Sequence, residues 1–273
     1  MDRFQAGFLK SLWLIKDYLP KVVIAGGWAP FVYYRYLVGD TSKNPIRTGD
    51  LDIAVGNRLP QAGEKLLDEI LTGAGLKPVF KTRSHPPVVH YEGEIDGFDV
   101  EIEFLTDLKG SRTEEVIEVQ TGLHAEALRY LTLLLENTIE VNINNVPGVE
   151  TGSSLKARLP SPAAYIFNKG LVFPRRKGRS KKGKDLYYVF DLLAYQEDFK
   201  HQIVGDLIRL GERYKPWFKT FTKNLTKAFA DPASEAVALT AEQRPTGAFK
   251  ALTDSQLKQF VFSTFQDFLT SLR

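Results

Sequence analysis

The stretch Lys21 to Val55, KVVIAGGWAPFVYYRYLVGDTSKNPIRTGDLDIAV, constrains the fold more than any other part of the chain. Its apolar run Val22, Val23, Ile24, Ala25 stops at Gly26–Gly27, and its far end alternates as Asp50–Leu51–Asp52–Ile53 before Ala54 and Val55. Residues i and i+2 of a strand point to the same face, so Asp50 and Asp52 project side by side at the start of an otherwise buried strand. Two adjacent carboxylates repel each other and cost free energy unless a cation sits between them. A divalent metal holding a substrate phosphate is the usual chemical reason for such a pair, and capping of backbone amides in a turn is the plainer one. The upstream Gly-Gly weighs toward the metal. A strand that ends in Gly-Gly and feeds a helix lets the backbone approach a phosphate, and the helix N-terminus favours negative charge.

A second acidic strand follows. Phe98 to Leu105, FDVEIEFL, puts Phe98, Val100, Ile102 and Phe104 on one face and Asp99, Glu101 and Glu103 on the other. An ordinary half-exposed strand has the same pattern, and spacing does not choose between Glu101 and Glu103, which face the same way.

The ordered set of Gly26–Gly27, a helix over Trp28–Val38, and Arg47–Thr48-x-Asp50-x-Asp52 resembles the nucleotidyltransferase superfamily that includes DNA polymerase beta. Within it, R-T-x-D-x-D looks most like the toxins of type IV abortive-infection systems and their bacterial relatives. The resemblance implies an α+β (α/β) fold, a mixed sheet flanked by helices with a mainly helical C-terminal part. It implies Mg²⁺ (or Mn²⁺) held by Asp50, Asp52 and a third carboxylate, with an NTP as substrate. Glu103 is the favoured third ligand, because its strand then runs straight into a Leu-Thr exit loop, and Glu101 is the alternative. Gly26, Gly27, Arg47 and Thr48 are expected around the triphosphate.

Chemistry returns at residues 159–196, LPSPAAYIFNKGLVFPRRKGRSKKGKDLYYVFDLLAYQ. Pro160–Ser161–Pro162 is a helix start with Ser161 as cap, and the helix runs to about Phe173, carrying Lys169. A basic loop follows, and a second helix opens at Asp185. The pattern K…K-D-L-Y-x-x-x-D-L-L looks like the second half of the toxin family, which implies that Lys169 and Asp185 join the nucleotide site. Residues 175–184 hold seven basic residues in ten positions, with Gly178, Ser180 and Gly183 between them. That stretch is either a solvated hairpin tip or an electrostatic arm for RNA or a triphosphate. No aromatics interrupt it, which argues against base stacking there.

The remaining chain bounds these readings. An apolar fraction of 43% with 18 Phe is ample for a packed core, and the absence of Cys excludes disulfides and thiolate metal sites. The first twenty residues read as an amphipathic helix over 3–19 rather than a leader, no run reaches the length of a membrane span, and a cytoplasmic setting is expected. Residues 21–25 and 51–55 read as strands, 61–71 as a helix, 76–80 and 88–92 as strands around an RSHPP turn, and 116–119 as a strand. Residues 123–135 fit a helix or a buried strand, and 139–143 and 152–159 read as strands. Helices are expected at 203–214, 217–229 and 255–272, with 231–247 as a weakly structured connector. His85, His90, His124 and His201 lack metal-ligand spacing. The expected organisation is a nucleotidyltransferase core over 1–158 and a helical domain over 159–273, with the site in the cleft between them. The expected reaction moves an NMP from an NTP to an acceptor hydroxyl, RNA or tRNA among the candidates, with loss of pyrophosphate. The family also implies an antitoxin-type protein partner. Two other readings stand beside it: an adenylyltransferase for a small antibiotic-type molecule, and an inactive nucleotide-binding regulatory module.

Overall fold

A computed structural model of the chain describes residues 2–46, 48–80, 89–110, 116–150 and 152–273. It forms two compact units, Met1–Thr41 with Arg47–Pro160, and Ser42–Ile46 with Ser161–Arg273.

The first unit opens with α1 (Arg3–Leu14), whose N-terminus is capped by the Asp2 carboxylate accepting from the Gln5 amide. β1 (Val23–Ile24) ends in a 3₁₀ turn over Gly26–Trp28. α2 (Ala29–Val32) continues from that turn and widens into a π-helical segment over Tyr33–Val38. Next come β2 (Asp50–Ala54), α3 (Leu67–Gly73), β3 (Lys77–Phe80), β4 (Val89–Ile95) and β5 (Phe98–Asp107). β6 (Val116–Gln120), β7 (Leu123–Leu128), α4 (Thr132–Glu136), β8 (Thr138–Asn144) and β9 (Ser154–Pro160) complete the unit.

The main sheet runs β1-β2-β5-β4-β3, with β7 also on β5 and β6 on β7. β2 and β7 lie parallel to β5, while β4 lies antiparallel to it, so the sheet is mixed as expected. β8 and β9 form a separate antiparallel pair. The alternation read in the sequence holds strand by strand. Leu51, Ile53, Ile102 and Phe104 are buried, while Asp50, Asp52, Glu101 and Glu103 are half-exposed. Phe8, Leu9 and Leu12 of α1 are buried as well, and Phe8 stacks on Trp28 at 4.3 Å. Each such side chain taken out of water contributes about 1.5–3 kcal/mol. Their summed burial holds the polar edges of β2 and β5 in place.

Two expectations for this unit change. The helix expected at 61–71 starts only at Leu67, because Gly63 takes a left-handed φ of 78° and Leu66 is extended. There the Glu69 carboxylate accepts from the Leu66 amide at 2.8 Å. Residues 123–135 divide into a strand and a short helix. Leu123, Ala125 and Ala127 are buried in alternation, and the Asp107 carboxylate caps the helix by accepting from the Thr132 amide at 2.9 Å. The turn expected at residues 83–87 lies outside the described residues.

The second unit is helical: α5 (Pro162–Val172), α6 (Arg179–Leu193), α7 (Glu197–Arg213), α8 (Lys215–Ala228), α9 (Glu235–Glu242) and α10 (Asp254–Ser271). Its core is aromatic, with Phe229 stacked on Phe265 at 3.6 Å and Phe167 edge-on to Phe221 at 5.1 Å. Two expectations change here too. The basic loop at 175–184 is helical from Arg179 onward, and the connector at 231–247 contains α9. The two corrections have one cause. Gly183 is buried where α6 meets α9, and Arg179 ion-pairs with Glu235 and Glu242 of α9. Lys and Arg are good helix formers, so docking on α9 suffices to extend the helix through them.

A Cβ on Gly183 would lie 2.8 Å from the Leu239 carbonyl oxygen, which is backbone and has nowhere to go. Gly183→Ala is therefore expected to lower stability by about 1–3 kcal/mol in urea denaturation. A change below a few tenths would mean that α6 and α9 do not meet at this glycine.

Candidate active site

The register between β2 and β5 sets the site. Asp50 lies opposite Glu101, and Asp52 opposite Glu103, across a parallel pair. Four carboxylates therefore share one face of two neighbouring strands. Among the described residues, Asp50, Asp52 and Glu103 form the one acidic group able to share an ion, with one oxygen from each lying within 4.8 Å of the others. Glu101 is not part of that group. It lies beside His90, whose Nε2 is 3.6 Å from the Glu101 carboxylate and 3.3 Å from that of Glu92.

β1 brings the glycine turn against the same carboxylates. The Ala25 amide donates to the Asp52 carbonyl at 2.8 Å, and Gly26 follows with φ of 62°. A Cβ on Gly26 would sit 1.7 Å from Asp52 Oδ2. Only glycine allows both this left-handed backbone and this approach. Gly27 is buried in the same turn. Thr48 donates its hydroxyl to the Asp50 carbonyl at 3.2 Å, fixing the entry into β2. Arg47 lies outside the described residues.

Lys169 and Asp185 are brought together in the second unit. Ser161 caps α5, accepting from the Ala164 amide at 3.2 Å, and Lys169 projects from the last turns of that helix. Its Nζ is 2.6 Å from Asp185 Oδ1 and lies 5.3 and 5.4 Å from the Tyr165 and Tyr188 ring centres. Arg176 Nε takes the other oxygen of Asp185 at 2.7 Å. Lys169 and Asp185 are both buried. The sequence offers no signal that singles Arg176 out of its basic run. His90 was equally hidden, because only the β4–β5 register places it opposite Glu103.

A family described as Nucleotidyltransferase matches residues 9–209. The chain belongs to this nucleotidyltransferase family. An antigenic nucleotidyltransferase-like protein from Paracoccidioides brasiliensis is similar over 78% of this chain and 92% of its own, at 15% identity and a TM-score of 0.36. No curated protein matches the chain. Among the described residues of this nucleotidyltransferase, no helix is long and apolar enough to cross a membrane.

The donor set suits a hard divalent cation. Carboxylate oxygens are the ligands that Mg²⁺ and Mn²⁺ prefer, and three of them converge beside a turn that has no Cβ to obstruct them. The Lys169–Asp185 pair has a different physical character. A buried ion pair is weak net stabilisation while intact, but removing one partner strands the other charge. Lys169→Met is expected to cost about 3 kcal/mol in urea denaturation, and Lys169→Met with Asp185→Leu to recover most of it. A single variant that lost under about 1 kcal/mol would show that Arg176 alone neutralises Asp185.

Proposed function

We propose that this protein moves a nucleoside monophosphate from an NTP to an acceptor hydroxyl. The new bond joins the acceptor oxygen to the α-phosphorus, the bond from the α-phosphorus to the β-phosphate oxygen breaks, and pyrophosphate leaves. The observation that carries this reading is the convergence of Asp50, Asp52 and Glu103 against a turn that only glycine can make.

Asp50, Asp52 and Glu103 would hold Mg²⁺ or Mn²⁺. When bound, the cation neutralises charge on the phosphates and makes the acceptor hydroxyl easier to deprotonate. Glu103 takes that proton. The Gly26–Gly27 backbone lies along the triphosphate, since no side chain holds it off. Arg47 is the cation we assign to the phosphates, and in the helical unit Asp185 holds Lys169 through its 2.6 Å contact. Glu103 is the glutamate we assign as third ligand, because its carboxylate converges with those of Asp50 and Asp52. The work of the protein is positioning and charge compensation, as in phosphoryl transfer generally. A cytoplasmic setting, an RNA acceptor and an antitoxin-type partner extend the same reading.

The test is incubation with each labelled NTP, Mg²⁺ or Mn²⁺, and pools of RNA or small acceptors, alongside a calorimetric titration with Mn²⁺. Asp52→Asn is expected to lower transfer about a hundredfold or more and to weaken Mn²⁺ binding. Glu103→Gln should do the same, while Glu101→Gln stays within about threefold of the parent protein. Equal losses from the two glutamates would overturn the choice of third ligand. Absence of both transfer and metal-dependent NTP binding would sink the catalytic reading. Gly26→Ala is expected to weaken Mn²⁺ binding about tenfold while the protein stays folded by circular dichroism, because the new methyl group displaces Asp52.

A further inference from the structure

α8 carries Lys215, Lys219, Lys223 and Lys227, four lysines at a strict spacing of four, and no Asp or Glu. All four are exposed. Among the described residues none of them makes an ion pair. Steps of four advance about 6 Å along a helix and only about 40° around it, so the ammonium groups form a ladder about 18 Å long. The ladder runs along the side of α8 opposite Phe221 and Leu225, which are fully buried.

The charge is not spread evenly over the chain. Residues 161–273 hold 19 Lys and Arg against 11 Asp and Glu, a balance of +8, although the whole chain stands at +3. Mutual repulsion of four unpaired lysines on one helix face costs free energy, and a polyanion would relieve it. In the basic run at 175–184, by contrast, two of the charges are taken within the unit, Arg179 by α9 and Arg176 by Asp185.

We infer that the α8 ladder is a docking surface for a single-stranded nucleic acid, its phosphates on the four lysines. Three steps of about 40° turn the line of cations about 120° around the helix over its length. A flexible strand follows such a turn, while a duplex is stiff over about 150 base pairs and does not. A membrane surface fits less well. A basic helix that lies on lipid inserts its apolar face, and here that face is already buried in the unit. The inference rests on the transfer reading only where it makes the bound strand the acceptor.

The test is fluorescence anisotropy of the full chain with a labelled single-stranded RNA of about 16 nucleotides, across a salt series, without NTP or metal. Further arms use the matching DNA strand, the RNA duplex, and vesicles of phosphatidylcholine with phosphatidylserine. The ladder variant replaces Lys215, Lys219, Lys223 and Lys227 with Gln. A control of equal charge replaces the exposed Lys21, Lys65, Lys77 and Lys109 instead. The ladder variant is expected to bind the strand about tenfold or more weakly, with a salt slope smaller by about 3, while the control stays within about twofold. Equal losses in the two variants would overturn the proposal, as would duplex binding as tight as the single strand. Vesicle binding that the ladder variant alone loses, without strand binding by the parent, would assign the surface to membranes instead. Asp52→Asn should leave strand binding unchanged, so failure of the ladder and failure of the catalytic site are read separately.

Discussion

The parallel pairing of β2 with β5 is the constraint from which the site follows. β2 has only five residues, and its register with β5 sets Asp50 beside Glu101 and Asp52 beside Glu103. Like charges directly opposite each other on neighbouring strands destabilise a sheet. What opposes that cost is the other face of the same two strands, where Leu51, Ile53, Ile102 and Phe104 are buried. The ladder is also locked beyond its acidic end. The Val55 amide donates to the Leu105 carbonyl at 2.8 Å, and the Thr106 hydroxyl donates to the Val55 carbonyl at 3.0 Å. A slip of one residue would bury the carboxylates and expose the apolar set, so the register is specified by far more free energy than the carboxylates cost.

Gly26 shows how closely backbone and chemistry are tied. Its left-handed φ lets the chain leave β1 and enter α2 directly, and its missing Cβ leaves room for Asp52. The Ala25–Asp52 hydrogen bond joins the turn to the middle of β2, so turn and carboxylate move as one. A larger residue would disturb the loop conformation and the carboxylate together.

How much of this was legible follows from the range of the interactions involved. Alternation along a single strand is a local signal, and it gave the faces of β2 and β5 and the carboxylates on them. The Ser161 cap and Lys169 on α5 were legible for the same reason. Which glutamate lies close to both Asp50 and Asp52 was not, because alternation alone does not tell which oxygens converge across two strands. The start of α6 was misread because Gly178, Ser180 and Gly183 look like loop residues in isolation. Gly183 is there for the approach of α9, a helix whose own sequence reads as a connector until Ser234 caps it and Val237 and Leu239 are buried. Residues 42–46 read as little more than the end of a polar loop over 39–45. They pack with the second unit, where Lys43 pairs with the buried Asp191 at 3.0 Å, and no local pattern announces that.

The distribution of charge gives these local features a common logic. Residues 1–160 hold 22 Asp and Glu against 17 Lys and Arg, while the rest of the chain is strongly basic. A triphosphate and a nucleic acid are both polyanions, and a carboxylate cluster alone would repel them. The proposed reaction therefore asks for a cation on the acidic strands and for an anion near the basic helices. Long-range attraction from the basic half raises the local concentration of a phosphate-rich partner, and the effect falls as salt screens it. The carboxylates act over a few ångströms and are set by strand register. The lysines act over about a Debye length and are set only by helical spacing. The proposed site therefore asks for a fixed strand register, and the proposed docking surface asks only for an exposed face on α8.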